Sequence, residues 1–275
     1  MIGEILSFIK QAFTKTGKET AIIAVSGGID SAVSLSLVVR ALGAEKVHVV
    51  LLPYGEQDMT DARAVVDFNQ IPTSNQHEIQ IKPIVDQLVK SLQTVGESNK
   101  FRLGNIMART RMIVVYDLAK SLDGLVCGTE NKSEKYLGYF TRFGDEASDL
   151  EPIQHLFKTQ VRQVATELQL PQVILTKQPS AGLWQDQTDE VEFGFSYDDA
   201  DKVLEIIVDK QPALLERLTN GKARSLEEVR DGARFLSGAS LDPTTIEKVL
   251  KHVQANWFKH QVPYHMESEL NSVFK

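Results

Sequence analysis

Ala21-Ile-Ile-Ala-Val-Ser-Gly-Gly-Ile-Asp-Ser-Ala-Val33 is the stretch whose reading decides the fold. Its first five residues, Ala21 to Val25, are apolar without a break, and a run that does not alternate predicts a strand covered on both faces. Gly27 and Gly28 follow. Without Cβ atoms they let the backbone turn tightly and bring its N–H groups against a phosphate. An apolar helix is expected to begin at Asp30 or Ser31 and to run to about Leu42, with Gly43 as its C-cap. The positive end of that helix then faces the bound anion. Ser26 and Ser31 add hydroxyl donors, whereas the Asp30 carboxylate would repel phosphate unless a cation sat between them, which implies magnesium. The loop lacks the Gly-Lys-Ser/Thr ending of a Walker A motif and holds no lysine within the turn.

The pattern SGGIDS resembles the pyrophosphate loop of the ATP pyrophosphatases, which cut ATP between its α and β phosphates and release pyrophosphate and AMP. On that resemblance the expected ATP-binding segment is Ala24, Val25, Ser26, Gly27, Gly28, Ile29, Asp30 and Ser31. An ordinary surface turn would need neither the aspartate, nor both serines, nor a helix directly behind it.

Alternation continues outward from this segment. Strands are expected at Ala21 to Val25, Val47 to Leu52, His77 to Ile81 and Leu125 to Cys127, separated by helical stretches such as Asp61 to Phe68 and Ile84 to Leu92. This order predicts an α/β fold, a doubly wound, Rossmann-like parallel sheet with flanking helices. Ligands bind such sheets beyond the carboxyl ends of the strands. SGGIDS, the loop LPYGEQD after the second strand and GTENKSE after the fourth all fall at those ends.

Composition narrows the class further. The 275 residues can form one α/β domain spanning 1–275. With 30 basic and 37 acidic side chains the net charge is −7, so a broad nucleic-acid or anionic-membrane footprint is not expected. Cys127 is the one cysteine, which excludes an internal disulfide and fits a reducing compartment. Between Val126 and Gly128 it reads as a small buried hydrophobe. His48, His77 and His155 are scattered, without zinc-site spacing. The N-terminal MIGEILSFIKQAF has helical spacing and no leader-like apolar run, and no segment approaches the roughly 20 apolar residues of a membrane span. A cytoplasmic protein is expected.

The second half differs. After a helix at Lys158 to Leu168 comes a turn-rich segment, Thr176 to Gly194, too long for an ordinary connector. Its apolar content, Trp184 included, predicts a lid that orders on ligand binding, with Gly182 and Gly194 as hinges. Helices are expected at Tyr197 to Val208, at Leu226 to Leu236 behind the capping pair Ser225 and Glu228, and at Thr244 to Phe258 behind Asp242-Pro243.

In order along the chain, SGGIDSA, GNIMARTRM, GTENKSE, GYFTRFGDEASDLEPI and PSAGLWQDQTDEVEFGFSYDDAD resemble the ammonia-dependent NAD synthetases. Other ligases share the first motif, but the last is far more specific. The resemblance implies a ligase that joins ammonia to deamido-NAD, consuming ATP and releasing AMP and pyrophosphate through an acyl-adenylate, the last step of NAD synthesis. It implies Asp30 and Glu134 as magnesium ligands, Lys158 as an ATP-contacting lysine, and Thr129 and Ser180 as hydroxyl contacts to ATP. Gln57 is a candidate adenine contact. For deamido-NAD it implies Arg109, Arg142, Asp149 and Lys259. Asp145 is a candidate to hold or deprotonate ammonium. Phe258 stands where relatives often carry histidine and cannot donate a hydrogen bond. The chain is short for a glutamine-hydrolysing amidase domain, so free ammonia is the expected nitrogen donor. A homodimer is expected too, and the helix Asn105 to Leu122, with Ile106, Met107, Ile113 and Val114, suits either a core or an interface.

Overall fold

The computed structural model describes residues 1–96, 99–180, 182, 187–219, 229–232 and 241–260. Four parallel strands form its sheet in the order β3-β2-β1-β4, with β1 at Ala21–Ala24, β2 at Val47–Leu51, β3 at Gln76–Glu78 and β4 at Leu125–Val126. Each lies where the sequence places a strand, though each is shorter than expected. The chain keeps the register past several ends: Val25 N–H donates to the Val50 carbonyl at 3.0 Å, Ile79 N–H to Leu51 at 2.9 Å and Cys127 N–H to Ile22 at 2.8 Å.

Both faces of the sheet are covered, which is why β1 reads as an unbroken apolar run. Successive side chains on a strand point to opposite faces. Ala21 and Ile23, with Val47, Val49 and Leu51, pack under α1 (Ile2–Thr16), α2 (Ile29–Leu42) and α3 (Thr60–Phe68). Ile22 and Val50 turn the other way, against Val85 of α4 (Lys82–Ser91) and Met107, Val115 and Ala119 of α5 (Lys100–Ser121). Helix α2 carries Val33, Val38 and Val39, whose helix propensity is poorer than alanine's by only tenths of a kcal/mol each. Val33 and Val38 are fully buried, worth roughly 1.5–3 kcal/mol apiece. Burial therefore decides their conformation.

A second apolar cluster is built mainly from helices. Leu137 of α6 (Lys132–Leu137), Phe193 of α9 (Asp189–Phe193), Tyr197 and Leu204 of α10 (Tyr197–Leu204), Leu218 of α11 (Pro212–Thr219) and Ile246 and Leu250 of α12 (Pro243–Asn256) meet there. It joins the sheet layer where α10 and α6 pack on α7 (Lys158–Glu167), which is followed by the short α8 (Gln172–Thr176).

Some helix ends depart from expectation. Helix α2 starts at Ile29, with Gly28 as N-cap, ahead of the expected Asp30 or Ser31. The helix from Tyr197 does not run uniformly to Val208; after Leu204 it widens to π geometry over Glu205–Lys210, and Gln211 N–H reaches the Ile206 carbonyl at 2.8 Å just before Pro212 opens α11. Asp242 does cap α12, its carboxylate accepting from Thr245 N–H at 3.0 Å. Most of the expected helix Leu226 to Leu236, with Ser225 and Glu228, lies outside the described residues, as does Trp184.

In the glycine turn one residue is required by contact as well as by angle. Gly27 has φ +78°, and a Cβ there would sit 2.8 Å from Ala62 N and 3.0 Å from Asp61 Cβ at the start of α3. Gly17 shares the positive φ, +70°, with open space around it. Gly17→Ala should therefore lose only the backbone term, about 1 kcal/mol or a little more. Gly27→Ala should lose more and weaken ATP binding as well. Urea melts of the two variants check this, and equal losses would show that α3 does not press on the loop.

Candidate active site

The glycine turn is held open by its own serines. Ser31 Oγ donates to the Gly28 carbonyl at 3.0 Å, Ser26 N–H donates to Ser31 Oγ at 3.3 Å, and Gly28 N–H donates to Ser26 Oγ at 3.3 Å. No side chain caps the first turn of α2. This end of the helix, carrying Asp30 and Ser31, has the donors and dipole that suit an anion.

Lys158 joins this loop to the GTENKSE motif. Its Nζ lies 2.6 Å from Asp30 Oδ2 and 2.9 Å from Glu134 Oε1, and the residue is 2 % exposed. Burial alone would lower the Lys158 pKa, but the two carboxylates outweigh it and hold the ammonium charged. Glu134 is pushed up by burial and by Asp30, with Lys158 opposing. Asn131 Nδ2 donates to the other Asp30 oxygen at 2.9 Å, and Asn131 Oδ1 caps α6 by accepting from Glu134 N–H at 2.9 Å. The start of α7 is fixed by Asp201, which accepts from Thr159 N–H at 2.9 Å and from Ser133 Oγ; Ser133 Oγ in turn accepts from Lys158 N–H at 2.8 Å. Asp30, Glu134 and Lys158, from three separate segments, are thus brought to one point.

Thr129, Glu130, Glu134, Tyr139, Phe140, Asp145 and Glu146 line a cavity of about 50 Å³ beside that point. Asp145 Oδ1 accepts from Thr141 N–H at 2.9 Å and so closes the turn 141–145. Arg109 Nε and Nη2 both donate to the Arg142 carbonyl, at 3.2 and 3.1 Å, which ties α5 to that turn. The Arg142 guanidinium lies over the rings of Phe143 and Phe258, 5.4 and 5.7 Å from their centroids. Phe258, which cannot replace histidine as a donor, serves here as a platform for a cation. Lys259 Nζ donates to the carbonyls of Gly138 and Phe140 at 2.6 and 3.0 Å. Asp149 is not brought to the cavity. Its carboxylate accepts from Val126 N–H at 2.7 Å, and it lines a groove between α1 and residues 148–154 instead.

The long segment after α8 meets the glycine turn. Lys177 Nζ donates to the Gly27 carbonyl at 3.2 Å and pairs with Asp61 at 2.6 Å. Ser180 Oγ accepts from Gly182 N–H at 3.1 Å and is exposed. Gln57 Nε2 reaches the Gly182 carbonyl at 3.5 Å, while Gln57 Oε1 accepts from Arg111 at 3.1 Å. Sequence reasoning missed Arg111, two residues beyond Arg109, whose Nε also donates to the Leu52 carbonyl at 3.1 Å. It missed Lys177 as well, which supplies from outside the turn the lysine that the turn lacks. Cys127 is 2 % exposed, and burial, with Glu151 and Asp149 adding, pushes its thiol far above the usual range. It is the inert residue expected.

A nucleotide-type loop, a lysine bridging two carboxylates and a parallel sheet that delivers both define an ATP-dependent ligase of the pyrophosphate-loop class. The model of the NAD synthase family matches residues 1–263, and the chain belongs to that family. The NH(3)-dependent NAD(+) synthetase of Pyrococcus horikoshii is 44 % identical over 210 residues, covering 76 % of this chain and 78 % of that protein. Its counterpart in Chlorobium phaeobacteroides is 36 % identical over 262 residues, 94 % of this chain and 86 % of that one. Among solved structures, the NH3-dependent NAD synthetase of Campylobacter jejuni superimposes with a TM-score of 0.74 at 27 % identity, and the NMN synthetase of Francisella tularensis with 0.77 at 28 %; each alignment covers 97 % of both chains.

Glu130 and Glu151 form a further acidic pair. Burial first, then Glu151, push Glu130 up to about 8, and burial pushes Glu151 up to about 7. A carboxyl raised in the folded state binds its proton more tightly there than in the unfolded chain, so its contribution is full below the unfolded value and is lost as pH rises through the folded one. Between about pH 4.5 and 8 this pair lowers stability as pH increases. Melting temperatures across that range should fall less in Glu151→Gln than in the wild type; parallel profiles would show that the pair ionises as freely folded as unfolded.

Proposed function

We propose that Asp30, Glu134 and Lys158 form the adenylating centre of this chain. As a member of its family the chain is a ligase that makes NAD with ATP and ammonia, the last step of NAD synthesis. We take the amide acceptor to be deamido-NAD. A nicotinate carboxylate is a poor acyl donor, so it is first joined to AMP, and ammonia then displaces AMP. Negative charge builds on the departing pyrophosphate, and stabilising that charge is the main task of the site. The N–H groups of the glycine turn and the start of α2 hold the phosphates, Lys158 adds a fixed positive charge, and Arg109 and Arg142 meet the second substrate. The observation that carries this reading is Lys158 Nζ within 2.9 Å of both Asp30 and Glu134.

The same pair fits magnesium. Two carboxylates that converge on one ammonium form a hard-oxygen site, and among the described residues no third acidic, histidine or cysteine side chain joins them. Magnesium usually takes one or two carboxylates and fills the rest of its shell with water and substrate phosphate. Asp30 and Glu134 would hold it, and bound there it would neutralise phosphate charge.

Supplying ATP, ammonium and deamido-NAD, in parallel with the carboxylate precursor of NMN, tests the reaction. NAD, AMP and pyrophosphate in equal amounts are expected, with little turnover of the mononucleotide, because the relatives named for NAD reach 44 % identity against 28 % for the one named for NMN. Asp30→Asn and Glu134→Gln should each lower pyrophosphate release by 100-fold or more (about 2.7 kcal/mol) with unchanged far-ultraviolet dichroism. Near-normal rates at saturating magnesium would remove both from the centre.

The chain is also proposed to act as a homodimer. Met107 of α5 is buried, but Ile113, in the stretch that the sequence offers as core or interface, is 59 % exposed and open to a partner copy. Sedimentation at assay concentrations should give twice the chain mass, and a fully active monomer would overturn the proposal.

A further inference from the structure

The peptide that joins Gly27 to Gly28 has no steric reason to keep its orientation. Turning a peptide plane over changes ψ of the residue before it and φ of the residue after it, and with glycine on both sides neither change meets a Cβ. The neighbouring groups of the turn are held by Ser31, whose Oγ accepts from Ser26 N–H at 3.3 Å and donates to the Gly28 carbonyl at 3.0 Å. The Gly27–Gly28 plane is held differently. On its N–H side Gly28 makes a long contact with Ser26 Oγ, 3.3 Å, while on its carbonyl side Lys177 Nζ donates to the Gly27 oxygen at 3.2 Å. In a trans peptide C=O and N–H point opposite ways. A lysine that draws the Gly27 oxygen to the α3 side therefore turns the Gly28 N–H toward the other side, at the first turn of α2, which no side chain caps.

The lysine is itself fixed in place. It is the C-cap residue of α8, a helix that packs on α2 and whose Ile174 is fully buried in the core. Its ammonium is paired at 2.6 Å with Asp61, and Asp61 lies in the first turn of α3, where the helix dipole favours a carboxylate. A cation on the carbonyl also polarises the peptide and makes its N–H a stronger donor.

We propose that Lys177 is a positioning residue that sets the Gly27–Gly28 peptide with its N–H toward pyrophosphate; this rests on the reading given above, in which the glycine turn holds the phosphates. A Walker-type lysine touches phosphate itself. Lys177 acts from behind the peptide, so the ligand meets the N–H and not the ammonium, and Asp61 keeps the charge on the carbonyl side of the plane. The effect falls on pyrophosphate more than on the nucleoside, because the peptide belongs to the turn and not to the loop after β2 that carries Gln57.

A steric substitute for the lysine makes the test. Gly28 has φ −86°, an angle open to alanine, and a Cβ there would sit 3.4 Å from Ser26 Oγ, an ordinary contact. With the plane turned over, the same residue would need a positive φ, which alanine resists. Gly28→Ala thus locks by shape the orientation that Lys177 holds by charge, and the two changes form a double-mutant cycle. Calorimetry reads the binding of magnesium pyrophosphate and of AMP to wild type, Lys177→Ala, Gly28→Ala, the double variant and Lys177→Arg. Lys177→Ala is expected to weaken pyrophosphate on the order of 10-fold and AMP by less than about 2-fold. With Gly28→Ala already present, removal of the lysine should cost less than about 3-fold, and Lys177→Arg, which keeps a charged donor, should stay within about 3-fold of wild type. A loss of the same size in both backgrounds would show that the lysine acts on phosphate directly or on the fold at large, and would overturn the proposal. So would AMP weakened as much as pyrophosphate, no loss at all, or Gly28→Ala by itself abolishing pyrophosphate binding, since the bound plane would then be one that alanine cannot adopt. Deamido-NAD-dependent ATP–pyrophosphate exchange in the wild type checks the ligase reading separately: wild type that binds magnesium pyrophosphate without exchange would sink that reading and leave this one standing.

Discussion

Lys158 holds the site together by sharing one ammonium between Asp30 and Glu134. Charged groups taken from water are expensive to bury, and removing one partner of such a set typically costs about 3–5 kcal/mol because the remainder is left uncompensated. The surrounding structure is arranged to meet that cost. Asn131 satisfies the second oxygen of Asp30, Ser133 and Asp201 fix the start of α7, and the Tyr197 ring lies 5.0 Å from the ammonium. The set also ties the first turn of α2, α6 and the start of α7 together beside the glycine turn.

The fold was legible because its signals are local. An unbroken apolar β1, a glycine pair and a helix with buried residues at every turn can each be read within a dozen residues, and the parallel order follows from their repetition. Strand lengths were overestimated because apolar residues such as Leu52 and Ile81 remain buried after the ladder has ended. The long segment after α8 reaches the loops after β1 and β2 through Lys177 and Gly182.

The candidate site was legible only where residues sit inside a motif. Asp30 and Glu134, each inside a motif, converge on Lys158. Arg111 was hidden because alternate residues on a helix face different ways, so Arg109 beside it gives no hint that Arg111 is turned in to Leu52 and Gln57. Asp149 and Lys259 were read as substrate contacts, but here both serve backbone groups, the amide of Val126 and the carbonyls of Gly138 and Phe140. Glu130 and Glu151, 21 residues apart, become a pair only because the turn between them folds back on β4 through the Cys127–Leu150 bridge.

The charge of the site follows from the two substrates it must accept. Donor N–H groups and Lys158 favour phosphate, yet Asp30, Glu130, Glu134, Asp145 and Glu146 gather around them. In a partly buried site such charges are weakly screened, and at an effective dielectric of about 20 a pair at 4 Å still interacts by roughly 4 kcal/mol. ATP without a counter-cation would meet net repulsion from the carboxylates, so the nucleotide is favoured as a neutralised complex. A purely basic phosphate site would hold the nucleotide without such a cation, so the mixed charge of this site is what sets it apart from a simple anion cradle.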